Sequence, residues 1–355
     1  MKLVLLGDGE SPHLLKWARA LAPHVELWAA SSRGFLPGFD PVIPLQRRLA
    51  LQTSPRFEGG NAALLRCVPR LVAWLRPIQA DWLHAHYLTS HGTLAWLARQ
   101  CGVRARMVGS AWGSDILVTP ERGVLWRWVT RRVLAACDLT TSDSHHMAQR
   151  MTALGAGEVM VFPFGLESLP PRTQTKEDEL FFANRGLEDI YDPHRVLEVF
   201  AALAQDWPQA RLVVAHDGSL RSSLEARARA LGLAERVSFT GRLDAASQAV
   251  MYERARWYLS LPRSDSVSVS VLEAMAHGCI PLLSDLPANR ELVAHADNGW
   301  ILPDGTVPDV TDLDALRNRA DGIGDHNRQW VAEHALFPQA VDLFVQRLKA
   351  LSTSR

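Results

Sequence analysis

Two carboxylates in the second half of the chain lie close enough in sequence to serve one ligand. Asp265 and Glu273 are separated by seven residues, in a polar segment that follows the apolar run 257–261 and leads into a helical pattern from Ser268. Free backbone N–H groups at the start of a helix suit a phosphate, and the helix dipole adds to that preference. The groups concerned belong to Ser268, Val269 and Ser270. Because small side chains let a phosphate approach the backbone, the segment predicts a phosphate site.

The position of Glu273 extends this hypothesis from a phosphate to a nucleotide. Glu273 lies about one and a half turns into the predicted helix, since a helix has about 3.6 residues per turn. A carboxylate at that position can accept two hydrogen bonds from a ribose diol. The alternative is an ordinary capped helix in which Asp265 and Glu273 are solvated charges.

Glycine and histidine residues follow two of the apolar runs in the first half. Gly9 and His13 lie beyond run 3–6, and His86 follows run 82–85. Ligands of doubly wound sheets bind outside the carboxyl ends of the strands, and glycine there allows close approach to the backbone. We therefore predict substrate contacts from these three residues. For both histidines the alternative is a structural role at a helix start or strand end.

The elements that must position these residues alternate between short apolar runs and helical periodicity. Runs in the first half are 3–6, 25–29, 82–85, 106–109, 139–141 and 159–162. After a Pro-Pro pair, the pattern restarts with runs 180–183, 211–215, 237–240, 257–261 and 280–284. The alternation predicts an α/β fold of two Rossmann-like, doubly wound domains that face a central cleft. We place the domains at 1–168 and 169–326, followed by one long amphipathic helix within 327–355.

Charge and composition exclude several classes of protein. The 355-residue chain has a formal net charge of zero, which argues against a nucleic-acid partner. Residues 1–160 hold 18 Lys and Arg against 11 Asp and Glu, a balance of +7 that leaves −7 for the remainder. The basic half could face an anionic membrane, an anionic acceptor or the acidic half of its own chain. The chain shows neither a membrane-spanning apolar stretch nor a secretory signal, so we predict a cytoplasmic protein.

Cysteines and one aromatic segment require separate interpretations. The four cysteines fit no zinc or redox motif and are predicted to be buried and reduced. Segment 122–132 mixes tryptophans with arginines on a predicted helix. This helix could make a peripheral contact at the inner face of a membrane. Alternatively, it buries Trp126 and Val129 while its arginines remain solvated.

Segment 265–281, together with 284–293, resembles the C-terminal domain of glycosyltransferase family 4. That family carries two acidic residues separated by seven positions, and Asp265 replaces the more usual first Glu. Further matches follow in the family's order at 81–86, 109–115, 137–144, 162–166, 212–218 and 237–242. The resemblance covers roughly residues 2–305. It implies a GT-B fold in which the donor binds mainly to the second domain, the acceptor binds mainly to the first, and the last helix crosses back to the first domain.

The resemblance also implies roles for individual residues. Arg185 matches an arginine that binds the leaving diphosphate, and Asp265 would contact donor-sugar hydroxyls near the reacting carbon. Asp265, Arg185 and His86 are the candidate catalytic residues. Candidate substrate-binding residues are Gly9, His13, Trp112, Gly241, Arg242, Ser268, Val269, Ser270 and Glu273. Trp112 stands where many relatives have a histidine, and the lysine expected shortly after Arg185 is absent, with Arg195 as a possible substitute.

The function implied is retaining transfer of a sugar from a nucleotide-diphosphate sugar to a glycan, lipid-linked or small-molecule acceptor. Such enzymes typically need no metal, and we expect no cofactor beyond the donor itself. Two alternatives on the same architecture are a sugar-nucleotide epimerase and a non-catalytic sugar-binding protein. Acid and base residues around the sugar, which an epimerase needs, are not evident in this sequence.

Overall fold

The computed structural model describes residues 1–53, 62–172 and 176–353. The chain forms two compact units. Unit 1 comprises Met1–Pro163 together with Phe337–Arg355, and unit 2 comprises Phe164–Leu336. Each unit contains one sheet in which all the described strand pairs are parallel, which confirms the predicted α/β architecture.

Unit 1 is built on a seven-stranded sheet in the order β3-β2-β1-β4-β5-β6-β7. Its strands are β1 (Lys2–Gly7), β2 (Glu26–Ser31), β3 (Arg48–Ala50), β4 (Trp82–His86), β5 (Arg106–Ser110), β6 (Leu139–Ser142) and β7 (Val159–Val161). Its helices are α1 (Pro12–Leu21), α2 (Ala62–Leu65), α3 (Val68–Ile78), α4 (Thr93–Gln100), α5 (Ser114–Leu117), α6 (Val124–Ala136) and α7 (His145–Ala153). The order places β4 between β1 and β5. Because the three strands are parallel, the loops that follow them are neighbours at the carboxyl ends of the strands.

Unit 2 is built on a six-stranded sheet in the order β10-β9-β8-β11-β12-β13. Its strands are β8 (Glu177–Ala183), β9 (Arg211–Ala215), β10 (Val237–Gly241), β11 (Ala255–Ser260), β12 (Ile280–Ser284) and β13 (Trp300–Leu302). Its helices are α8 (Pro193–Asp206), α9 (Arg221–Ala230), α10 (Ala245–Arg254), α11 (Val269–Ala276), α12 (Pro287–Arg290), α13 (Val310–Arg317) and α14 (Ala320–His334). Here β8 pairs directly with β11 although more than 70 residues separate them in sequence.

Strand β8, near the middle of the unit 2 sheet, shows why residues 180–183 are all apolar. Phe181 packs into a core on one face of the sheet with Phe200 and Trp257. Phe182, the next residue, packs into a second core on the opposite face with Tyr252. Since helices cover both faces of a parallel sheet, successive side chains of an inner strand are all buried.

The predicted single helix in the C-terminal segment is wrong. Helix α14 ends at His334, and a separate helix, α15 (Phe337–Thr353), follows after two residues. Pro338 explains the break, because proline lacks an N–H and its ring clashes with the carbonyl four residues earlier, that of His334. Helix α15 belongs to unit 1, where Phe337 and Phe344 pack against Trp17.

Other departures from the sequence-based expectations are local. The helical pattern at 64–75 forms two helices, α2 and α3, and β8 begins at Glu177, three residues before its apolar run. All four cysteines are free, but only Cys279 is buried, while Cys101 lies exposed just after α4. No helix among the described residues combines the length and the apolar character that crossing a bilayer requires.

Candidate active site

The residues of the predicted phosphate site lie on a strand, a loop and a helix in unit 2. Strand β11 ends at Ser260 and α11 begins at Val269, with Ser268 as its extended N-cap residue. The Ser268 side chain does not cap the helix. The first N–H groups of any helix lack intrahelical acceptors, so those of Val269 and Ser270 are oriented out of its N-terminus. The predicted strand end and helix start at this site are each correct to within one residue.

Arg185 lies at the centre of this site because β8 and β11 are adjacent. Its guanidinium donates to Asp265 Oδ2 at 2.5 Å and also to the hydroxyl of Ser268. The side chains of Arg185 and Asp265 are only 17% and 19% exposed. Burial raises the pKa of the Asp265 carboxyl, whereas the charge of Arg185 and the amide of Ser266 lower it. The fold thus brings together three predicted site residues from two distant segments.

This ion pair changes the expected role of Asp265. A carboxylate held by Arg185 first orients the guanidinium, which is planar and carries five donors in fixed directions. The same guanidinium also lies over the Tyr191 ring, 4.6 Å from its centroid. A diphosphate that binds Arg185 must therefore share it with Asp265 or displace that carboxylate.

Glu273 is held by a buried hydrogen-bond network that sequence reasoning missed. Tyr252 on α10 donates its hydroxyl proton to Glu273 Oε2 at 3.0 Å. Asn184, beside Arg185, donates to Tyr252 Oη at 2.8 Å and accepts from Tyr258 Oη at 2.7 Å. Burial raises the pKa of both tyrosines above the usual value, so both remain proton donors. The one signal in the sequence is Asn184, a polar residue at a strand end.

We expect Tyr252→Phe to weaken donor binding without a comparable loss in kcat. A hydrogen bond to a charged group contributes about 1.5 kcal/mol or more, so the donor KM should rise about tenfold. Steady-state kinetics with varied donor measures this effect. Tyr191→Phe, which keeps its ring beside Arg185, is the matched control and should change KM little. An unchanged donor KM in folded Tyr252→Phe would contradict the positioning role.

In unit 1, His86 ends β4 and is 4% exposed. Neither of its ring nitrogens has a hydrogen-bond partner among the described residues. Its ring lies 5.3 Å from Trp17 and 5.9 Å from Trp112. Burial, with His84, His91 and His13 nearby, holds the pKa of His86 well below its usual value, so the imidazole is neutral. A neutral imidazole can donate one hydrogen bond and accept another.

The other predicted acceptor-side residues gather around the same strand ends. The rings of His13 and Trp112 lie 5.0 Å apart. Asp115, which is fully buried, accepts from the backbone N–H groups of Trp112 and Leu88, at 2.9 and 2.8 Å. Asp115 therefore ties together the loops after β4 and β5, and this contact explains its presence in structural terms.

Three buried histidines make unit 1 sensitive to acid. Burial lowers the pKa of His84 to about 3 and that of His91 to about 4, and lowers that of His86 as well. Unfolded histidines bind protons below pH about 6.5, whereas these do not while folded. The free energy of unfolding should therefore fall as pH drops from about 6.5 toward 4, by up to about 1.4 kcal/mol per pH unit for each histidine.

Urea unfolding at pH 7.5 and 5.5 measures this dependence. We expect His84→Gln to lose less stability between the two pH values than the wild type, because the variant has one buried imidazole fewer. The control is His326→Gln, at an exposed position on α14. Equal pH dependence of the wild type and His84→Gln would contradict the prediction.

Three further expectations need correction or a different explanation. A Cβ at Gly9 would lie 2.4 Å from the Gly34 carbonyl oxygen, so close packing within the protein explains this glycine, and no ligand is needed. Gly241 has a φ of +72°, a backbone conformation that favours glycine whether or not a ligand binds. Arg242, which follows it, is exposed. Arg195 does not replace the missing lysine, because its guanidinium is bound by Asp304 and by the carbonyls of Leu302 and Pro303.

Two family models match the chain. Residues 2–144 match the family described as "Glycosyl transferase 4-like", and residues 169–314 match "Glycosyl transferases group 1". Among solved structures, HepE from Anabaena in complex with UDP aligns over 98% of this chain and 100% of its own, with a TM-score of 0.76 and 14% identity. Sucrose-phosphate synthase from Thermosynechococcus elongatus aligns over 99% and 100%, with a TM-score of 0.73 and 17% identity. The fold is of the GT-B class.

Curated relatives agree with this class. N-acetyl-alpha-D-glucosaminyl L-malate synthase of Bacillus anthracis is 24% identical over 65% of this chain and 64% of its own length. Phosphatidyl-myo-inositol mannosyltransferase of Mycobacterium leprae is 24% identical over 89% and 87%. The chain thus spans just under two thirds of the first of these relatives, and only 34% of a GDP-mannose:cellobiosyl-diphosphopolyprenol alpha-mannosyltransferase from Xanthomonas oryzae. The chain belongs to the family 4-type glycosyltransferases.

Proposed function

We propose that this protein transfers a sugar from a nucleotide-diphosphate sugar to an acceptor hydroxyl, with retention of the anomeric configuration. The observation that carries the proposal is the hydrogen-bonded and largely buried cluster of Arg185, Asp265 and Ser268 at the start of α11, with Glu273 in the same helix. A fixed cation beside free helix amides suits a diphosphate, and a carboxylate further along the helix suits the attached ribose.

The residues divide the reaction between them. Arg185 and the amides of Val269 and Ser270 stabilise the negative charge that develops on the leaving diphosphate. The bond between the anomeric carbon and the phosphate oxygen breaks, and the acceptor oxygen bonds to the same face of that carbon. A diphosphate oxygen receives the acceptor's proton, so no separate nucleophile is required. His86 of unit 1, neutral and buried, hydrogen-bonds the acceptor hydroxyl.

The relatives suggest the range of acceptors. Their names include an L-malate synthase, a phosphatidyl-myo-inositol mannosyltransferase and a diphosphopolyprenol mannosyltransferase. We propose a glycan, lipid-linked or small-molecule acceptor, used in the cytoplasm with peripheral contact at the inner face of the membrane. Trp112 provides an aromatic wall beside His13 and His86 on which a sugar ring can stack.

We propose that the reaction needs neither a metal nor a further cofactor. Positive charge for the diphosphate comes from Arg185 and the helix amides, which can neutralise it in place of a divalent cation. Initial rates should be the same in EDTA as in buffer. A loss of activity in EDTA that Mg²⁺ or Mn²⁺ restores would contradict this proposal.

A donor panel tests the function itself. Purified protein is incubated with UDP- and GDP-linked sugars, with and without simple glycoside, lipid and hydroxy-acid acceptors, and free nucleoside diphosphate is measured. We expect release of diphosphate that depends on the acceptor, and an α-linked product from an α-linked donor by NMR. Interconversion of the donor sugar without release would indicate an epimerase, and donor binding without turnover would indicate a sugar-binding protein.

A further inference from the structure

Helix α6 exposes a group of three apolar side chains that no other described part of the chain covers. Val124 is 87% exposed, Leu125 68% and Trp128 47%. Residues four apart lie on one helix face, so Trp128 follows Val124 on that face. The opposite side of α6 packs into the core of unit 1 through Val133 and Leu134. The apolar group is therefore an outer surface of a well-packed helix.

Arginines surround this apolar group. Arg122, Arg131 and Arg132 are exposed, and the described part of the chain places no carboxylate within ion-pair distance of them. The Arg132 guanidinium lies 5.5 Å from the Trp128 ring centroid. We call the surface formed by Arg122, Val124, Leu125, Trp128, Arg131 and Arg132 the α6 face.

The charge around the α6 face is strongly one-sided. Residues 91–136 contain seven arginines and only two acidic residues, Asp115 and Glu121. Asp115 is fully buried, and Glu121 is bound by both Arg127 and Arg150 at 2.7 and 2.6 Å. Uncompensated positive charge therefore accumulates beside the exposed aliphatic and aromatic side chains.

The α6 face begins near the carboxyl ends of the unit 1 strands, where the acceptor-side residues lie. The chain leaves the carboxyl end of β5 at Ser110, passes Trp112 and α5, and enters α6 after Gly123. Because α6 runs back toward the start of β6, its first turn, with Val124 and Leu125, lies near those strand ends. Trp96 on α4 extends the aromatic surface, since its ring lies 6.3 Å from that of Trp128.

We propose that the α6 face docks on an anionic lipid bilayer. This contact would hold the carboxyl ends of the unit 1 strands, where the acceptor-side residues lie, at the membrane. The inference rests on the proposed transfer to a lipid-linked acceptor. Tryptophan prefers the headgroup region, short aliphatic groups insert below it, and arginines pair with lipid phosphates. A symmetric contact with a second copy fits less well, because a two-fold interface would place the same arginines opposite each other.

Vesicle co-sedimentation tests the docking surface. The intact protein is mixed with phosphatidylcholine vesicles that either lack or contain phosphatidylglycerol. We expect binding only to the anionic vesicles, weakening with added salt. Leu125→Asn/Trp128→Ser and Arg131→Gln/Arg132→Gln should each reduce partitioning at least tenfold. All four positions are exposed, so thermal unfolding should not change.

Matched controls come from other exposed positions. Leu343→Asn, on α15 and 61% exposed, and Arg229→Gln, on α9, should bind vesicles as the wild type does. Equal losses in these controls, or wild-type binding by both α6-face variants, would overturn the proposal. So would a dimer in solution that Leu125→Asn/Trp128→Ser converts to a monomer without any change in vesicle binding.

Failure of the docking inference can be distinguished from failure of the proposed function. Nucleoside diphosphate binding and turnover with a water-soluble acceptor are measured without vesicles, and the α6-face variants should match the wild type. Sugar transfer without binding to anionic vesicles would overturn the docking surface alone. Binding to anionic vesicles without any transfer would overturn the proposed function and leave the α6 face as a membrane contact.

Discussion

Arg185→Ala should lower kcat about a hundred- to a thousandfold, the effect of removing one preorganised donor from a developing negative charge. Arg185 is buried, fixed by Asp265 and Ser268, and stacked beside Tyr191. Its guanidinium is therefore held in place before the charge on the leaving diphosphate develops. Arg185→Lys should recover only part of the rate, because lysine keeps the charge but lacks the planar fork. Turnover at saturating donor and acceptor measures both variants.

The Arg185 experiment needs controls for folding, because the single variant leaves Asp265 buried without its partner. Arg185→Ala/Asp265→Asn removes that unpaired charge and should unfold like the wild type while remaining as slow as the single variant. Arg254→Ala removes an ion pair with Glu177 at the opposite, amino-terminal edge of the same sheet and should leave kcat unchanged. A kcat within threefold of wild type in folded Arg185→Ala would refute the role of Arg185.

Glu273→Ala should weaken nucleoside diphosphate binding about ten- to a hundredfold. Tyr252 holds this carboxylate, which in the proposed function accepts from the ribose hydroxyls, and hydrogen bonds to a charged group contribute about 1.5–3 kcal/mol. Isothermal titration calorimetry with UDP and GDP measures the change. Glu273→Gln should show an intermediate loss, because its amide retains one acceptor oxygen but no charge.

Binding of inorganic pyrophosphate distinguishes recognition of the phosphates from recognition of the ribose. Its affinity should be unchanged by Glu273→Ala, since it lacks the ribose, but should fall in Arg185→Ala together with that of the nucleotide. Glu198→Ala, on the exposed surface of α8, is the matched control for losing a helix carboxylate. Equal weakening of pyrophosphate and nucleotide by Glu273→Ala would show that Glu273 acts on the phosphates or on the fold.

Elements with a strong local pattern were predictable from the sequence. Strand β11, the loop after it and the start of α11 at Ser268 follow from an apolar run, a polar segment and a helical period. The break between α14 and α15 was missed although Pro338 disfavours a continuous helix, because the amphipathic pattern on both sides concealed it. In each case neighbouring residues determine the backbone conformation through their own sterics and hydrogen bonds.

The sequence did not determine which side of α6 is exposed; packing against neighbouring elements decided it. Segment 122–132 allowed either burial or exposure of its tryptophans. In the folded chain Trp126 is half-buried while Trp128 is 47% exposed. Helical period predicts which residues share a face, but the neighbouring elements determine which face they cover.

The sequence by itself determined the two α/β units, all their described strands except β3 and β13, and the two carboxylates of the α11 segment. Only the tertiary structure decided that Arg185 is bound by Asp265 and Ser268, that Tyr252 holds Glu273, and that Arg195 is bound elsewhere. Periodicity is a property of consecutive residues and carries no record of strand order. The pairing of β8 with β11 brings these groups together across about 80 residues, and the packing of whole sheets and helices selects that pairing.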